Sequence, residues 1–215
     1  MSKALRSCLI WGLLLGVNFP ATARQTPKTK GKPDLKITLR TYDYAELPAG
    51  LLSRALNLTE IIFGNAGVVV APILCTQDKF PAACKQSPDP LNIALRIVPK
   101  PVPGADFGTV GYASGPYVTV NFSRVEKLAD GSDVLLVRIL GCVAAHELGH
   151  VLLGPDSHSA EGIMAADWTV QELELVRLRL PGFEPLQKQR VRAYVIAHQQ
   201  KNPDVATGSV ALNQR

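Results

Sequence analysis

The chain has 215 residues, of which 47% are hydrophobic and 19% are charged, and its formal net charge is +5. This length and apolar content are typical of one globular domain with a full-sized core. The positive balance is weak and the basic residues are not interleaved with aromatic ones, so the composition argues against a nucleic-acid-binding protein.

The first 23 residues have the order of an export signal. Lys3 and Arg6 precede a short apolar run, and an Ala-Thr-Ala sequence that ends at Ala23 offers a cleavage site. The run is too short to span a bilayer permanently, so we expect a secreted or periplasmic protein with no stable membrane anchor. Residues 24–33 are rich in Lys, Thr, Pro and Gly, which predicts a flexible basic linker.

One domain is expected over residues 34–200, followed by a disordered tail at residues 201–215. Alternating apolar and polar residues at 35–39 predict a first strand, and Pro48 opens a helix with an apolar stripe that ends in a glycine-rich turn. Three further strands are then predicted, at residues 68–74, 91–97 and 118–122. The first of these three is apolar throughout and is expected to be buried, although Pro72 is a flaw in it.

The cysteines predict one disulfide bond. Three of the four cysteines remain after removal of the signal. In an oxidising compartment Cys75 and Cys84 are the expected pair, and a loop of that length contributes about 2.5 to 3 kcal/mol in the chain-entropy model. A zinc site made of cysteines would need a second pair of ligands nearby, which the sequence lacks. Cys142 is expected to stay reduced and buried.

A buried helix is predicted between Ser132, a suitable N-cap, and Gly154, which ends it together with the following proline. The segment is apolar almost all round, so it does not fit a surface helix. Buried charges and imidazoles are costly unless they are paired or bound to a metal. The polar exceptions within it are Arg138, His146, Glu147 and His150.

Two of these exceptions predict a metal site. His146 and His150 are four residues apart, so they share one helix face and can bind one zinc ion at about 2.1 Å. Glu147 then lies beside the metal as the general base that takes a proton from a zinc-activated water. Three of the four histidines of the chain fall within thirteen residues of one another.

These residues resemble the metzincin metallopeptidases, whose pattern HExxHxxGxxH is followed by a Met-containing turn beneath the metal. His146, Glu147 and His150 fit the pattern, and the resemblance implies that Met164 forms an apolar floor under the ligand imidazoles. The stretch from His146 also resembles a group of small secreted bacterial metallopeptidases in which the last histidine comes later.

The third ligand departs from the metzincin pattern. The glycine comes one position later than usual, His158 comes two positions later, and Asp156 stands where the third ligand is expected. Either the turn contains a two-residue insertion and His158 binds zinc, or Asp156 does. Neutral imidazole is the commoner third ligand, which favours His158.

The resemblance also implies the fold. We expect an α+β, zincin-like domain with a twisted mixed sheet, one backing helix, the active-site helix and a C-terminal helical part. The C-terminal helices are predicted at residues 169–180 and 185–200.

The implied activity is that of an exported, monomeric zinc endopeptidase that hydrolyses peptide bonds in peptide or protein substrates. Metzincins bind the peptide as an added antiparallel strand at a free sheet edge. The candidate edge is Gly111-Tyr112-Ala113, where glycine would let a substrate backbone approach closely, although a plain surface loop fits this run nearly as well.

Two other functions remain open from the sequence. A gluzincin-like peptidase would use a downstream glutamate, Glu172 or Glu174, as the third ligand, but Glu172 also fits a capping box at the start of the next helix. A secreted protein with structural zinc, or with none, would not be an enzyme. A fourth ligand, from Asp156 or His198, would favour that second possibility.

Overall fold

The computed structural model describes residues 34–76, 80–101, 109–166 and 170–201. The chain separates into two units, Met1–Lys32 and Pro33–Arg215, and all described residues belong to the second. The predicted signal, the predicted linker and residues 202–215 lie outside the described residues.

Five strands form one mixed sheet in the order β2-β1-β3-β5-β4. Strand β1 pairs in parallel with β2 and β3, β3 pairs in parallel with β5, and β4 pairs with β5 in the antiparallel direction. The strands are β1 Lys36–Asp43, β2 Val69–Leu74, β3 Asn92–Val98, β4 Gly111–Ser114 and β5 Tyr117–Asn121. The predicted mixed sheet is therefore confirmed, and β4 lies at one end of it.

Five α-helices accompany the sheet in the described part of the chain, with one short 3-10 helix at Ala82–Lys85. They are α1 Ala49–Gly64, α2 Phe122–Ala129, α3 Asp133–Leu153, α4 Val170–Leu178 and α5 Pro185–Lys201. The alternating apolar residues of β1, β3 and β5 join α1 and α3 in one hydrophobic core. This confirms the predicted α+β architecture with a backing helix, a central helix and a C-terminal helical part.

Helices α1 and α3 pack closely because Gly141 has no side chain. A Cβ atom at Gly141 would lie 2.6 Å from the carbonyl oxygen of Ala55, well inside van der Waals contact. The hydroxyl of Thr59 donates a hydrogen bond to the carbonyl oxygen of Gly141 across this contact, at 2.9 Å. The buried stripe of α1 thus holds α3 against the sheet.

Helix α3 is the central element of the core. Its first turn is capped by Ser132, whose hydroxyl accepts a hydrogen bond from the backbone N–H of Leu135. Among the described residues α3 alone is long and apolar enough to cross a membrane, but most of it is buried inside the protein, as a core helix is expected to be. The side chain of Arg138 reaches α4, where its Nε donates to the carbonyl oxygen of Val176.

Two predictions about the elements need correction. The strand at residues 68–74 was expected to be buried, but β2 lies at the end of the sheet and half of Val69 is exposed. An edge position tolerates Pro72, because its missing N–H can face away from the ladder. Phe122 does not continue β5 but begins α2, a short helix whose buried residues include Val125 and Ala129.

Cys75 and Cys84 form the predicted disulfide, and Cys142 is free and fully buried. Burial raises the pKa of the Cys142 thiol to about 12, so it stays a neutral, apolar side chain. The disulfide-closed segment is anchored on β1, because the hydroxyl of Tyr42 donates to the carbonyl oxygen of Cys84 and the guanidinium of Arg40 donates to that of Ala83.

Candidate metal centre

Three imidazoles converge at the C-terminal end of α3. The Nε2 atom of His150 lies 3.0 Å from Nε2 of His146 and 3.1 Å from Nε2 of His158. In a tetrahedral zinc site with nitrogen ligands at about 2.1 Å, two ligand nitrogens are roughly 3.4 Å apart. The three side chains are therefore spaced as one zinc ion needs.

Hydrogen bonds at the opposite ring nitrogens fix the tautomers of the two helical histidines. Nδ1 of His146 lies 2.8 Å from the carbonyl oxygen of Ile163, and Nδ1 of His150 lies 3.2 Å from that of Gly154. A carbonyl oxygen only accepts, so each Nδ1 carries the hydrogen and each Nε2 presents a lone pair. Without a cation between them, these lone pairs would repel one another.

Burial also keeps these imidazoles neutral. Chiefly through loss of solvation, the pKa of His146 is lowered to about 4, and the pKa of His150 is also lowered by burial. A neutral imidazole is the form that binds a metal. Tautomer, charge and spacing thus fit a divalent cation, and zinc is the ion that prefers such a set of nitrogen ligands.

Glu147 lies beside the three histidines but is not part of the ligand group. It is only 7% exposed, and burial raises the pKa of its carboxyl group to about 7. Its side chain fills the space above Gly111 of β4, where a Cβ atom would lie 2.9 Å from Oε1. Glycine at position 111 therefore makes room for the side chain of Glu147, a reason for glycine that the sequence does not show.

The turn after α3 brings His158, and not Asp156, to the other two histidines. Nitrogen atoms of His146, His150 and His158 lie within 4.8 Å of one another, whereas Asp156 is exposed and outside this group. The hydroxyl of Ser157 donates to the carbonyl oxygen of Gly154 at 2.7 Å and also lies 3.1 Å from Nδ1 of His150. The turn and the second histidine are thus one hydrogen-bonded unit.

Met164 is fully buried against α3. A Cβ atom at Gly149 would lie 2.4 Å from the sulfur of Met164, so the helix must have glycine at this point. The chain returns in a tight turn, because the backbone N–H of Ser159 donates to the carbonyl oxygen of Met164. The backbone N–H of Ile163 donates to the carbonyl oxygen of Gly182, which ties this turn to the segment between α4 and α5.

An open cleft of about 980 Å³ runs past the three histidines and Glu147. Strand β4 forms one wall, and side chains of Leu128, Val143 and Val151 contribute apolar surface. The start of β4 is fixed by Asn121, whose side-chain amide donates to the carbonyl oxygen of Thr109 at 2.7 Å.

The free edge of β4 borders this cleft. The backbone N–H of Asn121 donates to the carbonyl oxygen of Val110, which sets the alternation of the antiparallel ladder with β5. By that alternation, Gly111 and Ala113 direct their N–H and C=O groups away from β5, while those of Tyr112 pair with β5. No other strand in the described part of the chain pairs with this edge.

The alternative ligands lie elsewhere. Glu172 lines a separate cavity of about 380 Å³, and Glu174 is close to Arg177 on the surface of α4. Nδ1 of His198 donates to the carbonyl oxygen of Tyr194 within α5. In the described residues no carboxylate joins the three histidines, so neither a downstream glutamate nor a fourth ligand is present at the site.

Sequence reasoning did not identify the residues that support the turn. Ser157 makes a hydrogen bond within the turn, and Gln187 and Arg190 of α5 donate hydrogen bonds to backbone carbonyl oxygens at its two ends. One signal was available: Gln187 stands three positions after Glu184 at the start of a predicted helix, the spacing of a capping box.

Two solved structures share this fold. Archaemetzincin from Methanopyrus kandleri is 16% identical, with a TM-score of 0.52 over 77% of this chain and 99% of its own. A zinc-dependent peptidase from Methanocorpusculum labreanum is 15% identical, with a TM-score of 0.52 over 71% of this chain and 99% of its own. No protein-family model and no curated protein matches the sequence. At such identities the similarity establishes the fold, and the function has to be argued from the site.

Proposed function

We propose that this protein is an exported, metzincin-like zinc endopeptidase. One observation carries the proposal: the Nε2 atoms of three histidines converge beside a buried glutamate, and an open cleft reaches that point. The similarity to a zinc-dependent peptidase and to archaemetzincin supports it at the level of the fold.

His146, His150 and His158 would hold the zinc ion through their Nε2 atoms. When bound, zinc supplies a Lewis acid that polarises a peptide carbonyl and makes water more acidic. Three protein ligands with no fourth one nearby are typical of catalytic zinc, whereas structural sites have four.

Glu147 is placed to move the proton. As general base it takes a proton from the attacking water, and as general acid it delivers that proton to the nitrogen of the leaving amine. A group that both accepts and returns a proton works best when its pKa lies near the operating pH, and burial brings the pKa of Glu147 to about 7.

The edge of β4 would bind the substrate backbone. An extended peptide can pair with the outward N–H and C=O groups of Gly111 and Ala113, as in other cases of strand addition to a sheet edge. Because Gly111 packs against Glu147, a peptide bound along this edge lies next to the base. Main-chain pairing of this kind positions any peptide sequence, and the apolar cleft wall then receives side chains.

Export is proposed from the N-terminal sequence and is supported by the disulfide. Residues 1–23 have the order of a signal peptide, and a bond between Cys75 and Cys84 persists in oxidising compartments. Sequencing the N-terminus of protein recovered from the periplasm or medium tests this point, and cleavage after Ala23 is expected.

Metal analysis combined with a peptide-cleavage assay tests the enzymatic proposal. We expect one zinc ion per chain and hydrolysis of internally quenched peptides that stops with a chelator and returns with zinc. Stoichiometric zinc with no cleavage of a broad peptide library would indicate a non-catalytic zinc protein. Absence of zinc binding would overturn the proposal altogether.

A further inference from the structure

We propose that Gln187 of α5 is a positioning residue for the third metal ligand, His158. This rests on the proposed zinc site. The side-chain amide of Gln187 donates a hydrogen bond to the carbonyl oxygen of Ser157, the residue directly before His158, at 3.1 Å. The bond connects two elements that are 30 residues apart in sequence. It is buried, so water does not compete with it.

Both the oxygen and the nitrogen of the Gln187 side-chain amide make hydrogen bonds. Its Oε1 accepts a hydrogen bond from the backbone N–H of Glu184 at 3.1 Å, which caps the start of α5, while its Nε2 faces Ser157. Rotating the amide by half a turn would place oxygen against oxygen and nitrogen against nitrogen. The side chain, which is 7% exposed, is therefore fixed in one orientation.

The turn that carries His158 needs such a support. It leaves α3 at Gly154 with a φ of +96° and reaches His158 without regular secondary structure. The side chain of His158 is exposed, unlike the buried ring of His146, so packing does little to fix it. The position of its ring depends on the backbone of the turn.

A second side chain of α5 holds the other end of the same turn. The guanidinium of Arg190 donates to the carbonyl oxygen of Leu153, the last residue of α3, at 2.8 Å. A cation at this point also interacts favourably with the helix dipole. Together Gln187 and Arg190 attach both ends of the turn to one face of α5, and Gln187 is the partner nearer to the ligand.

The expected consequence is a specific loss of metal affinity. Removing a group that orients a metal ligand commonly weakens affinity 10- to 100-fold, because the unbound site must then be ordered at the moment of binding. The folded core should be little affected, since α3 keeps His146 and His150 in place.

Zinc affinity of three variants of the full chain tests the inference, measured by competition with a chromophoric chelator. Gln187→Met removes both hydrogen bonds at similar volume. Gln187→Glu keeps an oxygen for the N–H of Glu184 but has no donor for Ser157. The matched control is Gln199→Met, because Gln199 lies on the same helix and its amide also donates to a backbone carbonyl, that of Asp34, at 3.1 Å.

We expect Gln187→Met and Gln187→Glu to lower zinc affinity by roughly 10- to 100-fold and Gln199→Met to leave it unchanged. With Co²⁺ as the probe, the visible absorption should weaken in both Gln187 variants, because a poorly held third ligand is replaced by water. If only Gln187→Met is affected, the helix cap is the cause and the inference is wrong. Wild-type affinity in both Gln187 variants would also overturn it.

These outcomes separate the inference from the proposed function. If the unmodified protein binds neither Zn²⁺ nor Co²⁺, the proposed zinc site fails, and the positioning role fails with it. If the unmodified protein binds the metal and cleaves peptides while the Gln187 variants bind equally well, only the positioning role is wrong. If Gln187→Met does not fold, Gln187→Glu against Gln199→Met decides the question.

Discussion

The candidate metal centre consists of two regions that are held in place in different ways. The helical region contributes His146, Glu147 and His150 from α3, the central helix of the core. Their relative positions follow from the helix repeat, and the whole hydrophobic core holds the helix. The turn region, residues 154–164, contributes His158 and Met164 and has no regular secondary structure to fix it.

The end of the turn region is buried in the core through Ile163 and Met164, but its backbone is also attached to distant parts of the chain by single hydrogen bonds, and the part that carries His158 depends on them. Ser157 accepts one at its carbonyl oxygen from Gln187, and Ile163 donates one to Gly182. Each such bond contributes about 1 kcal/mol to stability, whereas the core that holds α3 is shared among many residues. Apart from the ligands His146 and His150, substitutions in the helical region should therefore change the chemistry while the metal is retained, and substitutions that loosen the turn region should change metal retention.

The largest effect is expected in the helical region, from Glu147→Gln. Without the carboxylate, the attacking water has no proton acceptor, so kcat/KM should fall by roughly 10²- to 10⁴-fold. Zinc content should stay at the wild-type level, because Glu147 lies outside the three-histidine group. Metal analysis beside the peptide assay checks both points, and loss of zinc in this variant would mean that Glu147 is itself a ligand.

The complementary change in the turn region is His158→Ala. It should weaken zinc binding more than about 100-fold, since a lost ligand costs more than a lost supporting hydrogen bond. Asp156→Ala is the matched control, because Asp156 lies in the same turn but is exposed and outside the ligand group. Equal losses in the two variants, or a larger loss in Asp156→Ala, would assign the third ligand to the aspartate.

The same division explains how much the sequence could predict. The helix from Ser132 to Gly154 was predictable because its apolar residues, its cap and its final glycine agree with one another. The spacing of His146 and His150 then fixes their common face. The disulfide between Cys75 and Cys84 followed from the number of cysteines and their expected compartment.

Features that depend on contacts between distant parts of the chain could not be predicted in the same way. His158 was favoured over Asp156 only by its ligand chemistry, because the path of the turn depends on α5 and no local pattern encodes a contact across 30 residues. Helix α2 was missed because Phe122 continues the apolar alternation of β5. The contact between Gly111 and Glu147 could not be predicted either, since the sequence does not show that the side chain of Glu147 occupies the space beside this glycine.

Gly111→Ala tests how tightly β4 packs against α3. The new methyl group would lie 2.8 Å from Cγ of Glu147 and 3.0 Å from a methyl carbon of Val143, so the carboxylate has to move. A displacement of about 1 Å in a catalytic group lowers kcat by up to roughly 100-fold. Zinc content should not change. The control is Gly50→Ala on α1, where the new methyl group would meet no neighbouring side chain within 4 Å. Equal kinetics in the two variants would show that β4 shifts to accommodate the methyl group without moving Glu147.

The smallest expected effect concerns the stability of the metal-free protein. Burial raises the pKa of Glu147 from 4.5 to about 7, so the folded state holds a proton that the unfolded state loses between these two values. The free energy of unfolding therefore falls as the pH rises from 4.5 through 7, and above that pH the buried carboxylate is charged.

Replacing Glu147 by glutamine removes this penalty. His146 has the opposite dependence, since its pKa is lowered from 6.5 to about 4 and the stability it contributes is lost as the pH falls through that range. Both proteins contain His146, so comparing them isolates Glu147. With a chelator present, Glu147→Gln should exceed wild type in free energy of unfolding by roughly 3 kcal/mol at pH 8 and by little at pH 4.5. Urea unfolding at the two pH values measures this, and a difference that does not change with pH would mean that the carboxylate is solvated in the metal-free protein. In that case the helical region would not be rigid enough to keep the carboxylate of Glu147 away from water. The helical region would then be no more firmly held than the turn region.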